Sequence, residues 1–152
     1  MTTPRANVHG TAIVLGTHGF LITGPSGSGK SRLALACIAA ARQAGEFAAL
    51  VADDRVDLSL EHGRIVARCP PSISGLIEIR GCGIGNVETV PAAVIDWALL
   101  PVTAPFDPRL PPEAETLPLP LGRALPIVRV PVENGAMVLD ILRALLAEKL
   151  RF

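Results

Sequence analysis

Residues Gly24-Pro25-Ser26-Gly27-Ser28-Gly29-Lys30-Ser31 satisfy the phosphate-binding pattern G-x-x-x-x-G-K-[ST] without a mismatch. Each residue type has a physical reason to be there. Glycine tolerates positive φ and lets a backbone approach closely, so successive N–H groups turn inward on a polyphosphate. Lys30 reaches the outer phosphates, Ser31 offers a hydroxyl to Mg²⁺, and the helix that follows points its positive end at the anion. Asp53 and Asp54 form a second chemical group. Adjacent carboxylates leaving a strand diverge, so one approaches Mg²⁺ and the other an incoming nucleophile. Strand carboxyl ends gather around the ligand in α/β folds, which turns this pair toward the phosphates.

The elements that must position these groups are legible as hydrophobic runs. Residues 11–15 and 19–23 are apolar strands separated by Gly16-Thr17-His18-Gly19, the spacing of a hairpin. The second strand leads into the glycine-rich loop, and an Ala/Leu-rich helix over 30–43, stopped by Gly45, leads out. Residues 48–52 form a buried strand that ends at Asp53-Asp54. Residues 56–60 and 64–67 alternate around Glu61-His62-Gly63, a second hairpin. Leu76-Ile77-Glu78-Ile79 runs into the glycine-rich Arg80-Gly81-Cys82-Gly83-Ile84-Gly85, and 92–100 is a further strand. Eight prolines between Pro101 and Pro126 predict a meandering loop over 101–126. A late strand over 127–132 and an amphipathic helix over 136–150, with Lys149 and Arg151 at its favourable end, complete one α/β domain spanning 1–152. His18 and His62 fall in turns and read as surface residues.

Composition excludes several classes. Formal net charge is zero and the 14 basic residues are scattered, so no nucleic-acid partner is expected. With four Phe, one Trp and no Tyr, there is no stacking platform for bases. Cys37, Cys69 and Cys82 fit neither a disulfide framework nor a CxxC metal site, which points to a reducing compartment. Without a signal sequence or an apolar run of spanning length, the expectation is a cytoplasmic protein with no membrane partner.

Beyond the loop, Val8-His9-Gly10, Val51-Ala52-Asp53-Asp54-Arg55-Val56 and Leu76-Ile77-Glu78-Ile79-Arg80-Gly81-Cys82-Gly83-Ile84 follow in an order and at intervals that resemble the C-terminal catalytic domain of the HPr kinase/phosphorylase family, over about residues 7–90. The Glu-Ile-Arg-Gly-x-Gly-Ile element is the specific part, since generic phosphate-loop kinases lack it. The resemblance implies the mixed-sheet fold shared with PEP carboxykinase. It also implies an ATP-dependent protein serine kinase acting on HPr, or on a homologous phosphocarrier of a phosphotransferase system. By position, His9 matches the family's active-site histidine, Lys30 its loop lysine and Asp53 the base that accepts the serine proton. Ser31 and Glu78 match the Mg²⁺ ligands, with Asp54 supporting the metal, and Glu78, Arg80 and Gly81 lie in the signature element. Physical chemistry agrees. A serine hydroxyl is a weak nucleophile that a carboxylate orients, and phosphoryl transfer otherwise depends on positioning and charge neutralisation. Glu78 lies between Leu, Ile and Ile, a costly site for a charge unless a metal pairs it.

The chain departs from the family pattern in three places. It begins eight residues before His9, so the usual N-terminal domain is expected to be missing. Residues 86–93 match no arginine-bearing loop. Glu133 and Ala136, in Val130-Pro131-Val132-Glu133-Asn134-Gly135-Ala136, stand where basic residues are usual. Losing cations beside a phosphoserine weakens attraction to the dianion, so phosphorylase activity is expected to be weak or absent. Two other readings stay in play. A small-molecule kinase of the phosphate-loop type usually carries an arginine-rich lid, whereas 101–126 offers only Arg109 and Arg123. A non-catalytic ATP sensor is favoured by the missing arginine loop and disfavoured by Asp53, Asp54 and Glu78. Full-length relatives form hexamers; whether this chain forms a homo-oligomer is left open by its sequence.

Overall fold

The computed structural model describes residues 3–132 and 135–147. Strand β1 (Arg5–His9) leads directly into β2 (Thr11–Leu15), which turns at Gly16-Thr17 into β3 (His18–Ile22). Helix α1 (Lys30–Gln43) occupies the expected span, and Gly45 follows it at φ +80. Then come β4 (Ala48–Ala52) and the hairpin of β5 (Arg55–Glu61) with β6 (Arg64–Arg68). His62 and Gly63 both adopt positive φ in that hairpin, the geometry that matches strand twist in a two-residue turn. Next follow β7 (Leu76–Ile79), β8 (Gly83–Asn86), β9 (Ala92–Val102), β10 (Thr116–Leu119), β11 (Arg123–Pro131) and α2 (Gly135–Leu145).

The main sheet runs β1-β5-β6-β9-β3-β2-β4, with β11 also parallel to β9 and β10 paired to β11; β7 and β8 form a separate two-stranded sheet. β9 is long enough to pair with β6 at Ala92–Val94 and with β11 at Ala98–Val102. β3 lies parallel to it, Phe20 opposite Trp97. Both faces of the central strands are covered, which is why those strands read as continuous apolar runs. Ile13, Leu15, Phe20 and Ile22 face α1 and α2, where Leu33, Cys37, Leu139 and Leu142 meet them. Ala12, Leu21 and Val51 face the other way, onto Val56, Leu58, Ile65, Leu119 and Leu125. Each fully buried Leu or Ile contributes about 1.5–3 kcal/mol. This packing fixes the end of β3, the start of α1 and the end of β4 against one another.

Several expectations need correction. The 101–126 stretch is not one loop: Pro101 lies in β9, and β10 with the first half of β11 forms an antiparallel pair, Pro118 opposite Ala124. Proline is tolerated there because β10 is an edge strand with exposed Pro118. The late strand therefore starts at Arg123 rather than 127. Gly83–Asn86 is a strand and not only a bend. Helix α2 spans Gly135–Leu145, and the expected ends Lys149 and Arg151 lie outside the described residues. β3 starts at His18, one residue before the expected strand, and within it a Cβ on Gly19 would stand 2.0 Å from the Val94 carbonyl oxygen, so only glycine admits β9 so close. His18 is half-buried against the Trp97 ring, with centroids 5.6 Å apart, instead of on the surface. Among the described residues no helix is long and apolar enough to cross a membrane.

Candidate active site

The loop from Gly24 to Gly29 joins β3 to α1, and its glycines are conformationally required. Gly24, Gly27 and Gly29 have φ of +140, +82 and +94, and a Cβ on Gly24 would approach Ser28 Oγ to 2.8 Å. Gly29 caps α1 in the left-handed region with no side-chain hydrogen bond, which leaves the first N–H groups of the helix for an anion. The buried Ser28 hydroxyl has no hydrogen-bond partner among the described residues. A buried polar atom without a partner in a backbone cradle fits a phosphate that brings its own acceptors.

Lys30, the first residue of α1, is buried at 8% exposure and donates from Nζ to the carbonyls of Gly24 at 2.9 Å and Pro25 at 3.0 Å. Burial lowers its pKa below the ordinary value; the charges of Asp54 and Asp53 oppose this, and Arg80 adds to it. An ammonium held by neutral carbonyl oxygens is ready to exchange them for an anion.

The two aspartates occupy different environments. Asp53 is 5% exposed and accepts from three donors: Thr11 Oγ1 at 2.9 Å and Ser31 Oγ at 2.7 Å reach Oδ1, and the Glu78 backbone N–H reaches Oδ2 at 3.0 Å. Asp54 adopts φ +70, a turn conformation that aspartate tolerates better than most residues. Its exposed carboxylate lies 3.1 Å from His9 Nε2. The backbone locks this turn through Gly10 N–H to Asp54 O at 3.1 Å and Arg55 N–H to Asp53 O at 2.9 Å.

A cleft of about 470 Å³ brings together His9, Ser26–Ser31, Asp53, Asp54, Glu78 and Arg80. Of the expected site residues, Gly24 and Pro25 lie in the loop behind it, and Gly81 lies exposed at the β7–β8 turn. Glu78 is not the buried charge expected from its neighbours. Leu76 and Glu78 are exposed and only Ile77 is buried, because β7 alternates, so the argument from burial for a metal at Glu78 falls. Among the described residues no three His, Cys, Asp or Glu side chains cluster tightly enough to hold a metal alone. A Mg²⁺ here would draw most ligands from phosphate and water, as that ion prefers, with Ser31 and Glu78 as the protein's contribution. Thr11, Arg32, Thr103 and Val132 also line the cleft and were missed by sequence reasoning. A hydroxyl opening the apolar strand beside His9-Gly10 was the available signal for Thr11. Arg32 Nη2 donates to the Arg80 carbonyl at 3.1 Å and ties α1 to the β7–β8 hairpin.

The family model described as HPr Serine kinase C-terminal domain matches residues 1–93, which carry all of these groups except Thr103 and Val132. The chain belongs to this family. The match is wider than the 7–90 expected from the motifs. Relatives include the HPr kinase/phosphorylase of Burkholderia lata, 41% identical over 88 residues that are 57% of this chain and 26% of the relative. That of Burkholderia cenocepacia is 40% identical over the same shares. The chain thus spans about a quarter of the length of the curated relatives it matches. The solved structure of the Hpr(Ser) kinase/phosphatase from Coxiella burnetii superposes with a TM-score of 0.74 at 30% identity, covering 95% of this chain and 97% of that one. The family fold therefore extends past residue 93 to β10, β11 and α2.

Proposed function

We propose that this chain is a single catalytic domain that transfers the γ-phosphoryl group of ATP to a serine of HPr or a homologous phosphocarrier. The observation that carries the proposal is the convergence of Lys30, Ser31, Asp54 and Glu78 on one cleft beside a glycine-rich loop, in a chain of the HPr serine kinase C-terminal domain family. Bound Mg²⁺ would neutralise charge on the transferring phosphoryl group. The loop from Gly24 to Ser31 cradles the phosphates as a P-loop, and Lys30 gives up its carbonyl partners for them. The Ser31 proton points at Asp53, which leaves the hydroxyl lone pairs for the metal.

Geometry favours exchanging the two aspartate roles expected from the sequence. Asp53 lines the cleft but is 5% exposed and already accepts three hydrogen bonds, one from Ser31, which favours a role in holding Ser31 over receiving a substrate hydroxyl. Asp54 is exposed at the cleft, and His9 orients it from 3.1 Å, which suits the base that takes the serine proton. Phosphorylase activity is read as weak or absent because Ala136 replaces a cation; Glu133, the other replacement, lies outside the described residues.

The test mixes the purified protein, Mg·ATP and HPr-type carriers, and locates added phosphate by mass spectrometry. Phosphate on a carrier serine is expected; phosphate on histidine, or none, overturns the proposal. Adding inorganic phosphate to the phosphorylated carrier should release little; brisk release would overturn the second part.

A further inference from the structure

Arg32 stands where electrostatics disfavours it. It is the third residue of α1, two positions after Lys30, and the first turn of that helix carries no acid. Aligned peptide dipoles make a helix N-terminus positive, so a second cation there is repelled unless an acceptor holds it. The acceptor is the Arg80 carbonyl, 3.1 Å from Arg32 Nη2. That carbonyl sits in the turn between β7 and β8. Cys82 N–H donates to Ile79 O at 2.9 Å and Gly81 has φ +82, so Ile79 to Cys82 is a type II turn with glycine where positive φ is needed. The ladder of the strand pair ends at Ile79 opposite Gly83, and the Arg80 carbonyl lies beyond it. The other anchors of the hairpin are further back: Ile77 in the helix-side core and the Glu78 N–H on Asp53. Arg32 ties down the tip itself.

The tip carries the Arg80 guanidinium. Its Nη1 lies 3.5 Å from where a Cβ on Gly27 would stand. After burial, the Arg80 charge is the other influence that lowers the Lys30 pKa. The group therefore hangs over the phosphate loop near Lys30. An exposed arginine side chain loses rotamer freedom when it grips an anion, and fixing its backbone beforehand removes part of the ordering cost.

We infer that Arg32 is a positioning residue: by holding the Arg80 carbonyl it locks the β7–β8 turn and presents the Arg80 guanidinium to a polyphosphate in the loop from Gly24 to Ser31. This role rests on the ATP-binding part of the kinase reading and deepens it. Arg32 acts through Arg80 and does not itself grip the phosphates. Its loss therefore matters only while the Arg80 side chain is there to be placed.

The test is a double-mutant cycle on Mg·ATP affinity, read by calorimetry on the full chain. Salt of about 0.15 M largely screens exposed charges more than about 8 Å apart. Arg32→Met keeps a long unbranched side chain and removes the donor; Arg80→Leu removes the guanidinium and keeps the carbonyl. Arg32→Met alone is expected to weaken Mg·ATP binding about 10-fold. In the Arg80→Leu background the same substitution should change affinity by less than about 2-fold. Equal losses in both backgrounds overturn the clamp, because Arg32 then acts without Arg80. A loss below about 2-fold from Arg32→Met alone overturns it as well. Wild type that binds no Mg·ATP overturns the nucleotide reading instead, and the clamp is then decided in the free protein by amide hydrogen exchange. Faster exchange of the Cys82 N–H in Arg32→Met, with the β4 amides unchanged, supports it. Equal exchange at Cys82, or faster exchange in β4 too, overturns it.

Discussion

Ser31 Oγ donates a 2.7 Å hydrogen bond to Asp53 Oδ1, and this bond commits Asp53 to the interior while its neighbour Asp54 stays exposed beside His9. Replacing each aspartate should therefore fail differently. Asp54→Asn should lower kcat by about 10²–10⁴-fold while Mg·ATP binding, read by calorimetry, survives. Asp53→Asn directs an amide at groups that are all donors: the Thr11 and Ser31 hydroxyls and the Glu78 N–H. It should cost about 1–3 kcal/mol in urea unfolding and weaken nucleotide binding as well. Equal stability loss in both variants would contradict the division of roles.

The crossing of α1 and α2 depends on Gly135. A Cβ there would lie 2.0 Å from the Ala36 carbonyl oxygen and 2.7 Å from the Cys37 nitrogen, backbone atoms that cannot swing aside. Gly135→Ala should lower the urea midpoint by the equivalent of about 1–3 kcal/mol without changing the slope. Helix α1 carries Lys30 and Ser31 at its N-terminus, so the same variant should weaken Mg·ATP binding if the helix is displaced as a unit. An unchanged midpoint would mean that α2 shifts freely on α1.

Local chemistry was legible in the sequence and long-range pairing was not. The loop, its flanking strand and helix, and the Asp53-Asp54 corner lie within spans whose periodicity and glycines announce them. Which aspartate turns outward depends on φ +70 at Asp54 and on donors from Thr11 and Glu78, residues 42 and 25 positions away from Asp53. No local pattern encodes that. Thr116–Leu119 was hidden by Pro118 and the prolines around it, because its pairing with Arg123–Pro131 makes it an edge strand only in the folded sheet. Glu78 was misjudged as buried because composition counts its apolar neighbours, whereas alternation places Ile77 inside and Glu78 out.

Acid stability should depend on the polar face of β5. Arg68 Nη1 donates to Glu61 Oε2 at 2.6 Å and Ser59 donates to the same oxygen, which lowers the Glu61 carboxyl from 4.5 to about 2. The folded pKa lies below the unfolded one, so this stabilisation is complete above about pH 4.5 and disappears as pH falls toward 2. Glu61→Gln should flatten the unfolding free energy against pH across that window and leave the slope above pH 4.5 unchanged. An identical acid limb in wild type and variant would show that the Arg68 bond does not persist in solution.

The three thiols should react in order of exposure. Cys37 is fully buried beneath α2, and burial pushes its thiol up to about 12, which disfavours the reactive thiolate. Burial and the charge of Asp57 also raise the half-buried Cys69, whereas Cys82 is exposed at the β7–β8 turn. Iodoacetamide followed by peptide mapping should label Cys82 first, Cys69 next, and Cys37 only at the rate of global unfolding. Urea below the midpoint separates two causes. If Cys37 labelling accelerates with denaturant as the unfolding constant does, access requires loss of the α1–α2 core. If it labels quickly in buffer alone, that core opens locally, and the helix that carries Lys30 and Ser31 is not held as firmly as Leu33, Val138 and Leu142 require.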